Sequence, residues 1–469
     1  MISTHRPQYH FLPPQNWMND PNGLIHWMGE YHLFYQHNPD GPTWGNMHWG
    51  HAVSPDLVHW RHLPIAIAPT PNSYDADGVF SGCALAAKDT PVFFYTGVFP
   101  EVQCIAVGSH NLNEVVKYAK NPIIPAPPPG LELAGFRDPY VWHEENHWWM
   151  AVGSGIEEYG GTILLYHSSN LTQWEYVGQL YNRSLNETEP LYTASMWECP
   201  NFIRFDHSAK RLLLFSACDF LQPKYTVVML GDYVNRQFQP DQIQKFDYGD
   251  NIYYAPQVFK DDSGRIIAIG WICEDRPQEY AEQAGWAGLA SLPRELKLSP
   301  SGELLISPID ELKQLRCSHK TATIHLEKGV KMDLFTGLGS GSIEFEVNLK
   351  YTEPVELLLS LGFAGDETEK LSIVVNTIKG VVKVDTTTAS KDRNIPGAIK
   401  DCPIVNQGND LSLRLFLDRS VLELYVNDRT VLSARYYQVN PDISFLKAEL
   451  KRGQNCKIMV SRYGLISIW

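Results

Sequence analysis

The chain has 469 residues, with 53 acidic against 39 basic side chains, a formal net charge of -14 and no Lys/Arg block. That balance argues against a surface that tracks a phosphate backbone, so no nucleic-acid partner is expected. The length exceeds what one hydrophobic core usually spans, and two domains are expected.

In chain order, Met1 to Gln15 offers His, Pro and Gln where a secretory signal needs an apolar stretch behind positive charge. No later segment is long and apolar enough for a bilayer span, and no membrane partner is expected. The eight cysteines are scattered without a C-x-x-C pair. Together with the missing export signal, they point to reduced thiols and a cytoplasmic location. His48-Trp49-Gly50-His51 has no matching Cys or His pair elsewhere, so it reads as polar aromatic filling and no metal is expected.

Apolar runs then recur every 55 to 65 residues or so, a period that points to a propeller. They are Tyr31–Tyr35, Pro91–Tyr95, His147–Ala151, Arg211–Phe215 and Arg265–Ile269. Five units predict five blades. A second repeated token, Ser54-Pro55-Asp56-Leu57-Val58-His59-Trp60 and Ser168-Ser169-Asn170-Leu171-Thr172-Gln173-Trp174, reads as a turn leading into an outer strand, with Trp packing it. Amphipathic helical runs are nearly absent before Ile309, so the fold class is all-β. Residues 1–308 form the expected propeller, and 309–320, with leucines spaced for a helical turn or two, a linker. From 321 to 469, strand alternation resumes. Leucine takes every second place from Leu411 to Leu417, and a β-sandwich is the simplest closure.

Three segments in different repeat units carry a carboxylate beside aromatic or proline neighbours: Trp17-Met18-Asn19-Asp20-Pro21-Asn22-Gly23, Phe136-Arg137-Asp138-Pro139 and Trp197-Glu198-Cys199-Pro200. Glycosidic bond hydrolysis needs one carboxyl as proton donor and another across the sugar ring, and the inner strands of a propeller converge on its axis. Asp20 sits in a turn demanded by Pro21-Asn22-Gly23, which suits a nucleophile held in its line of attack and equally suits an ordinary Asx-turn. Asp138 has Arg137 next door, whose guanidinium is expected to keep it ionised. Glu198 lies between Trp197 and Cys199 with few charges nearby, so desolvation is expected to raise its pKa and make it the proton donor. The 13 Trp and 23 Tyr agree with sugar stacking and with core filling alike.

Together these segments resemble the signature of glycoside hydrolase family 32, the β-fructofuranosidases. The resemblance extends through Tyr35-Gln36-His37-Asn38-Pro39, Trp44-Gly45, Asp77 to Gly82, Gly285-Trp286-Ala287-Gly288 and Leu292-Pro293-Arg294-Glu295. In the second domain it includes Leu417-Asp418-Arg419-Ser420 with Glu423 and Asn427-Asp428. It implies a five-bladed propeller followed by a β-sandwich, and a retaining, exo-acting hydrolase of sucrose and short fructo-oligosaccharides without cofactor. On it Asp20 is the nucleophile, Glu198 the acid/base and Asp138 the fructose-binding stabiliser. Asn19, Gln36, Trp44, Phe80, Ser81, Arg137 and Trp286 line the pocket. A retaining pair of carboxyls stands about 5 to 5.5 Å apart, an inverting pair roughly 6.5 to 9.5 Å.

Two positions depart from the family pattern. Asn201 stands where many members carry Asp, with an expected influence on the acid/base, and Cys83 where Ser is common. An inverting hydrolase of arabinose or xylose polymers and a silent sugar-binding protein are the alternative readings. Sucrose 6-phosphate as substrate would want a Lys/Arg cluster near the leaving group, which the linear sequence does not display. Oligomeric state has no signature in it either.

Overall fold

A computed structural model describes residues 5–363, 367–395, 397–405 and 408–469. It is nearly all-β. Residues 16–308 form five antiparallel sheets whose strands lie largely side by side in chain order. The five recurring apolar runs fall on the second strands of these sheets, Glu30–Asn38, Thr90–Val98, His147–Ile156, Arg211–Asp219 and Ile266–Ile272. Those strands are buried on nearly every residue because neighbouring sheets cover both their faces, which is why they read as unbroken apolar text rather than alternation.

The opening strands are Asn16–Trp27, Gly78–Ala87, Leu133–Glu144, Met196–Arg204 and Tyr253–Lys260. Each contacts the next, and the fifth returns to the first, so the sheets close into a ring. Trp286–Ala287 pairs in parallel with Asn16–Trp17 and stitches the end of the ring to its start.

The two matching heptapeptides make the same turn. The side chains of Asp56 and Asn170 each accept two backbone N–H bonds, from Val58 and His59 and from Thr172 and Gln173. Leu57 and Leu171 adopt φ of 66° and 68°, and Trp60 and Trp174 donate to their carbonyls at 3.1 and 2.9 Å. His51 of the His-Trp-Gly-His text lies 3.0 Å from a ring nitrogen of His32, and Trp49 is core.

The helical turn expected near Ile309 is a 3-10 helix, Asp310–Leu315, and it is shorter than the 309–320 reading because strand Arg316–Glu327 begins at once. Beyond it two six-stranded sheets face each other. Leu411, Leu413, Leu415 and Leu417 point into their shared core with Leu357, Ile373 and Val382, while Phe416 packs into the core of the first unit.

A buried polar network joins the units. Asp418 accepts backbone N–H bonds from Gln8, Tyr9 and His10 and lies 2.9 Å from the His10 ring. Glu423 takes Arg294 at 2.8 Å, and Arg294 also reaches Asp247 at 2.8 Å, with every side chain of this trio fully buried. Burial alone would raise the Glu423 pKa, but Arg294 and His10 overcome it and pull the group down to about 2. Its stabilising contribution is therefore complete above the ordinary carboxylate range and is lost as pH falls toward that value. Replacing Arg294 by Met strands two buried carboxylates, and the expected loss is about 3–5 kcal/mol. Urea unfolding at pH 7 should show it; unchanged stability would mean that this network does not hold the units together.

Candidate active site

Each opening strand breaks its ladder at the same depth. The register shifts fall between Met18 and Pro21, Phe80 and Gly82, Arg137 and Tyr140, Glu198 and Asn201, and Tyr254 and Gln257. A bulge re-aims side chains and leaves a residue without a ladder partner. Pro139, Pro200 and Pro256 occupy three of these bulges, where a missing N–H does not break a regular ladder. The residues before them, Asp138, Cys199 and Ala255, have φ of 64°, 47° and 47°, a conformation that L side chains rarely adopt.

The bulges open on one cavity of about 920 Å³ that contains Asp20, Asp138 and Glu198. A second cavity of about 700 Å³ is lined by later residues of the same five strands, from Leu24, Cys83, Tyr140, Phe202 and Gln257 onward, so the strands run from one mouth to the other.

Asp20 accepts from Asn19 Nδ2 at 2.9 Å and Ser81 Oγ at 2.7 Å, and Asn19 is itself held by Trp17 Nε1 at 2.7 Å. Its carboxylate thus faces side chains of the pocket rather than closing an Asx-turn on its own backbone. Asp138 accepts from Cys199 N at 2.9 Å, and the Cys199 thiol lies 3.5 Å from Asp138 and 3.6 Å from Asp20. Burial, then the two aspartates, raise the thiol pKa well above its usual value, so it stays a proton donor shared between them. Glu198 takes Arg137 Nε and Nη2 at 3.2 and 2.7 Å on one oxygen and the Tyr254 hydroxyl on the other. Arg137 also donates to Glu101 at 2.8 Å. Behind Glu198, Trp197 stacks on Phe215 at 4.2 Å and bonds the Thr193 carbonyl at 2.6 Å. Gly161 makes room for it, since a Cβ there would sit 2.1 Å from the indole nitrogen.

Two expectations about charge are corrected. Glu198 does not stand among few charges, because Arg137 lies against it. Asp138 is not held low by its sequence neighbour, because burial outweighs that guanidinium, whose hydrogen bonds go to Glu198 and Glu101. Burial pushes Asp138 up to about 7, with Arg137 opposing and Glu198 and Asp20 adding to the rise. Burial also raises Asp20, against the hydrogen bonds of Ser81 and Asn19.

Of the other expected lining residues, Asn19, Gln36, Trp44, Phe80, Ser81 and Arg137 all face the cavity. Trp286 does not. It is 1% exposed, because its indole packs into the core of the first unit with Arg276 stacked on it at 4.7 Å. Trp271 lines the cavity in its place, 5.8 Å from Trp17, with its indole nitrogen buried and unpartnered. Trp17, Glu101 and Tyr254 also line it. Tyr254 was discernible, since it precedes Ala255-Pro256 as Glu198 precedes Cys199-Pro200 and Arg137 precedes Asp138-Pro139. Glu101 and Trp271 carry no such signal.

Asn201 makes no hydrogen bond with Glu198. It is fully buried and ties two sheets together, donating to the Cys199 and Pro256 carbonyls at 3.0 and 2.8 Å and accepting from Val258 N. Cys83 accepts from Val141 N near the second cavity. Among the described residues, no group of three or more His, Cys, Asp or Glu is arranged to hold a metal ion, and no helix is long and apolar enough to cross a membrane.

The model of the glycosyl hydrolases family 32 N-terminal domain matches residues 10–308, and that of the family 32 C-terminal domain matches 311–458. The chain belongs to glycoside hydrolase family 32. It is 35% identical to a sucrose-6-phosphate hydrolase of Zymomonas mobilis, over 95% of this chain and 88% of that protein. It is 32% identical to a raffinose invertase of Escherichia coli, over 93% and 90%. Among solved structures, fructan 1-exohydrolase IIa of Cichorium intybus superposes with a TM-score of 0.88 at 26% identity, covering 100% of this chain and 98% of that one. The family 32 β-fructofuranosidase BmSUC1 of Bombyx mori gives 0.78 at 30% identity, over 99% and 95%. This family 32 chain is therefore a glycoside hydrolase.

Because Asp138 ionises in the unfolded chain well below its folded pKa, it weakens the fold progressively as pH rises from about 4 to about 7. Asp138→Asn should have a thermal midpoint close to the parent's at pH 4 and a few degrees above it at pH 8, read by differential scanning fluorimetry. A variant less stable than the parent at pH 8 would contradict this.

Proposed function

We propose that the enzyme is a retaining, exo-acting β-fructofuranosidase that releases terminal fructose from sucrose and short fructo-oligosaccharides. The observation that carries this reading is the gathering of Asp20, Asp138 and Glu198 in one cavity, with Cys199 touching both aspartates and Arg137 and Tyr254 orienting Glu198. Two solved relatives add support: the chicory exohydrolase has a complex with 1-kestose and the silkworm enzyme one with sucrose.

In this mechanism Glu198 protonates the departing glycosidic oxygen while Asp20 attacks the anomeric carbon and forms a fructosyl ester. Glu198 then removes a proton from water as it displaces Asp20. Ser81 and Asn19 aim the Asp20 carboxylate and offset part of the cost of burying its charge. Asp138, with a pKa near neutrality, bonds fructose hydroxyls and is able to donate as well as accept. The ring of sheets is read as a five-bladed propeller over residues 1–308. Residues 309–315 act as the connection and 316–469 as a β-sandwich that braces it. Eight free cysteines, seven of them buried, suit a reducing cytoplasm.

Asp20→Ala and Glu198→Ala should each lower kcat on sucrose by roughly 10³-fold or more, with circular dichroism unchanged. EDTA should leave the parent's rate as it was. Parental turnover in either folded variant would overturn the assignment.

A further inference from the structure

The outer half of the cavity differs in character from its floor. The floor holds Asp20, Asp138, Glu198 and Glu101 with, among the described residues, a single lining cation, Arg137, and both ends of that guanidinium are taken by glutamates. The rim is apolar. Trp44 meets Phe80 edge-on at 6.1 Å, Phe80 meets Phe99 at 6.2 Å, and Pro100, Leu221 and Pro223 are among the other apolar residues that line it.

Leu221 sits on an unusual turn. Strands Arg211–Asp219 and Gln222–Val234 are joined by Phe220 and Leu221 alone, with Asp219 paired to Gln222. Both turn residues have positive φ, 47° and 63°, the type I′ geometry that favours Asn-Gly. Two bulky apolar residues there are strained, and they are also 91% and 77% exposed. Folding gains nothing from this choice. Lys224, the cation next along the hairpin, does not line the cavity and lies 3.8 Å from Asp219.

We propose that Leu221 on this hairpin tip, with Trp44, Phe80 and Phe99, is a leaving-group platform for neutral oligosaccharides and that the site discriminates against a leaving group bearing a phosphate. A sugar ring has an apolar face that such a wall covers. A phosphate brought to this rim meets four carboxyls below it, and no unpaired lining cation among the described residues. The inference rests on the fructosidase reading and separates this chain from the substrate named for several of its relatives, sucrose 6-phosphate.

The test compares kcat/KM on sucrose, sucrose 6-phosphate and 1-kestose for the parent and for Phe220→Asn/Leu221→Gly. For the parent, sucrose and 1-kestose should each exceed sucrose 6-phosphate by about tenfold or more. The double variant installs the dipeptide that the turn favours, so its thermal midpoint should rise. Its KM for 1-kestose should nevertheless increase by roughly fivefold, and by more than its KM for sucrose. Leu221→Asn, which tolerates positive φ, should shift the same ratio in the same direction. Preference for sucrose 6-phosphate, or an unchanged ratio of the two KM values in the folded variants, would overturn the proposal. Failure of the parent to release fructose from any of the three would instead overturn the fructosidase reading itself.

Discussion

Five strands approach one axis, and a regular strand would send alternate side chains into its sheet faces, leaving little to project along the axis toward a ligand. The bulge in each opening strand removes that restriction. Arg137, Glu198 and Tyr254 occupy equivalent places just before three of these bulges, and they bond to one another across sheet boundaries. Asp20 and Ser81 meet in the same way from the other two strands. Prolines and positive-φ residues hold the bulges, and Asn201 ties the fourth to the fifth from beneath. Removing this shared break in the ladders would leave the same residues on the same strands without a common site.

Burial then sets the chemistry. Four carboxyls and one glutamate-saturated guanidinium share a desolvated space, and burial first, then the neighbouring negative charge, raises the pKa values of Asp20 and Asp138. Cys199 moderates it as a neutral donor between them. The same acidity extends its influence to the rim, where apolar side chains take up the role that a cationic patch would play for a charged leaving group.

Much of the fold was legible because its signals are local. The second strand of each sheet is covered on both faces, so its apolar run is a direct imprint of position, and the Asp56 and Asn170 turns repeat because a side-chain oxygen caps two adjacent N–H groups. The carboxylates were legible because their turn and bulge chemistry, with Pro nearby, is written in three or four residues. What escaped is non-local. Trp286 and Trp271 both follow a glycine, and only tertiary packing, which puts the first in the core and leaves the second facing the cavity, tells them apart. Arg137 adjoins Asp138 in sequence, yet its side chain answers to Glu101 and Glu198, which no reading of neighbours reveals. Asp418 and Glu423 stood out only through the family resemblance of the second domain, and they hold the N-terminal segment and Arg294.

Attack by Asp20 on the fructosyl carbon would leave that carboxylate esterified during turnover. The most direct measurement is acid quenching of the enzyme during steady-state sucrose hydrolysis, followed by peptic digestion and mass spectrometry. A hexosyl increment on the peptide that contains Asp20, absent without sucrose, is the predicted result. An increment on the peptide containing Asp138, or on the one containing Glu198, would contradict the account.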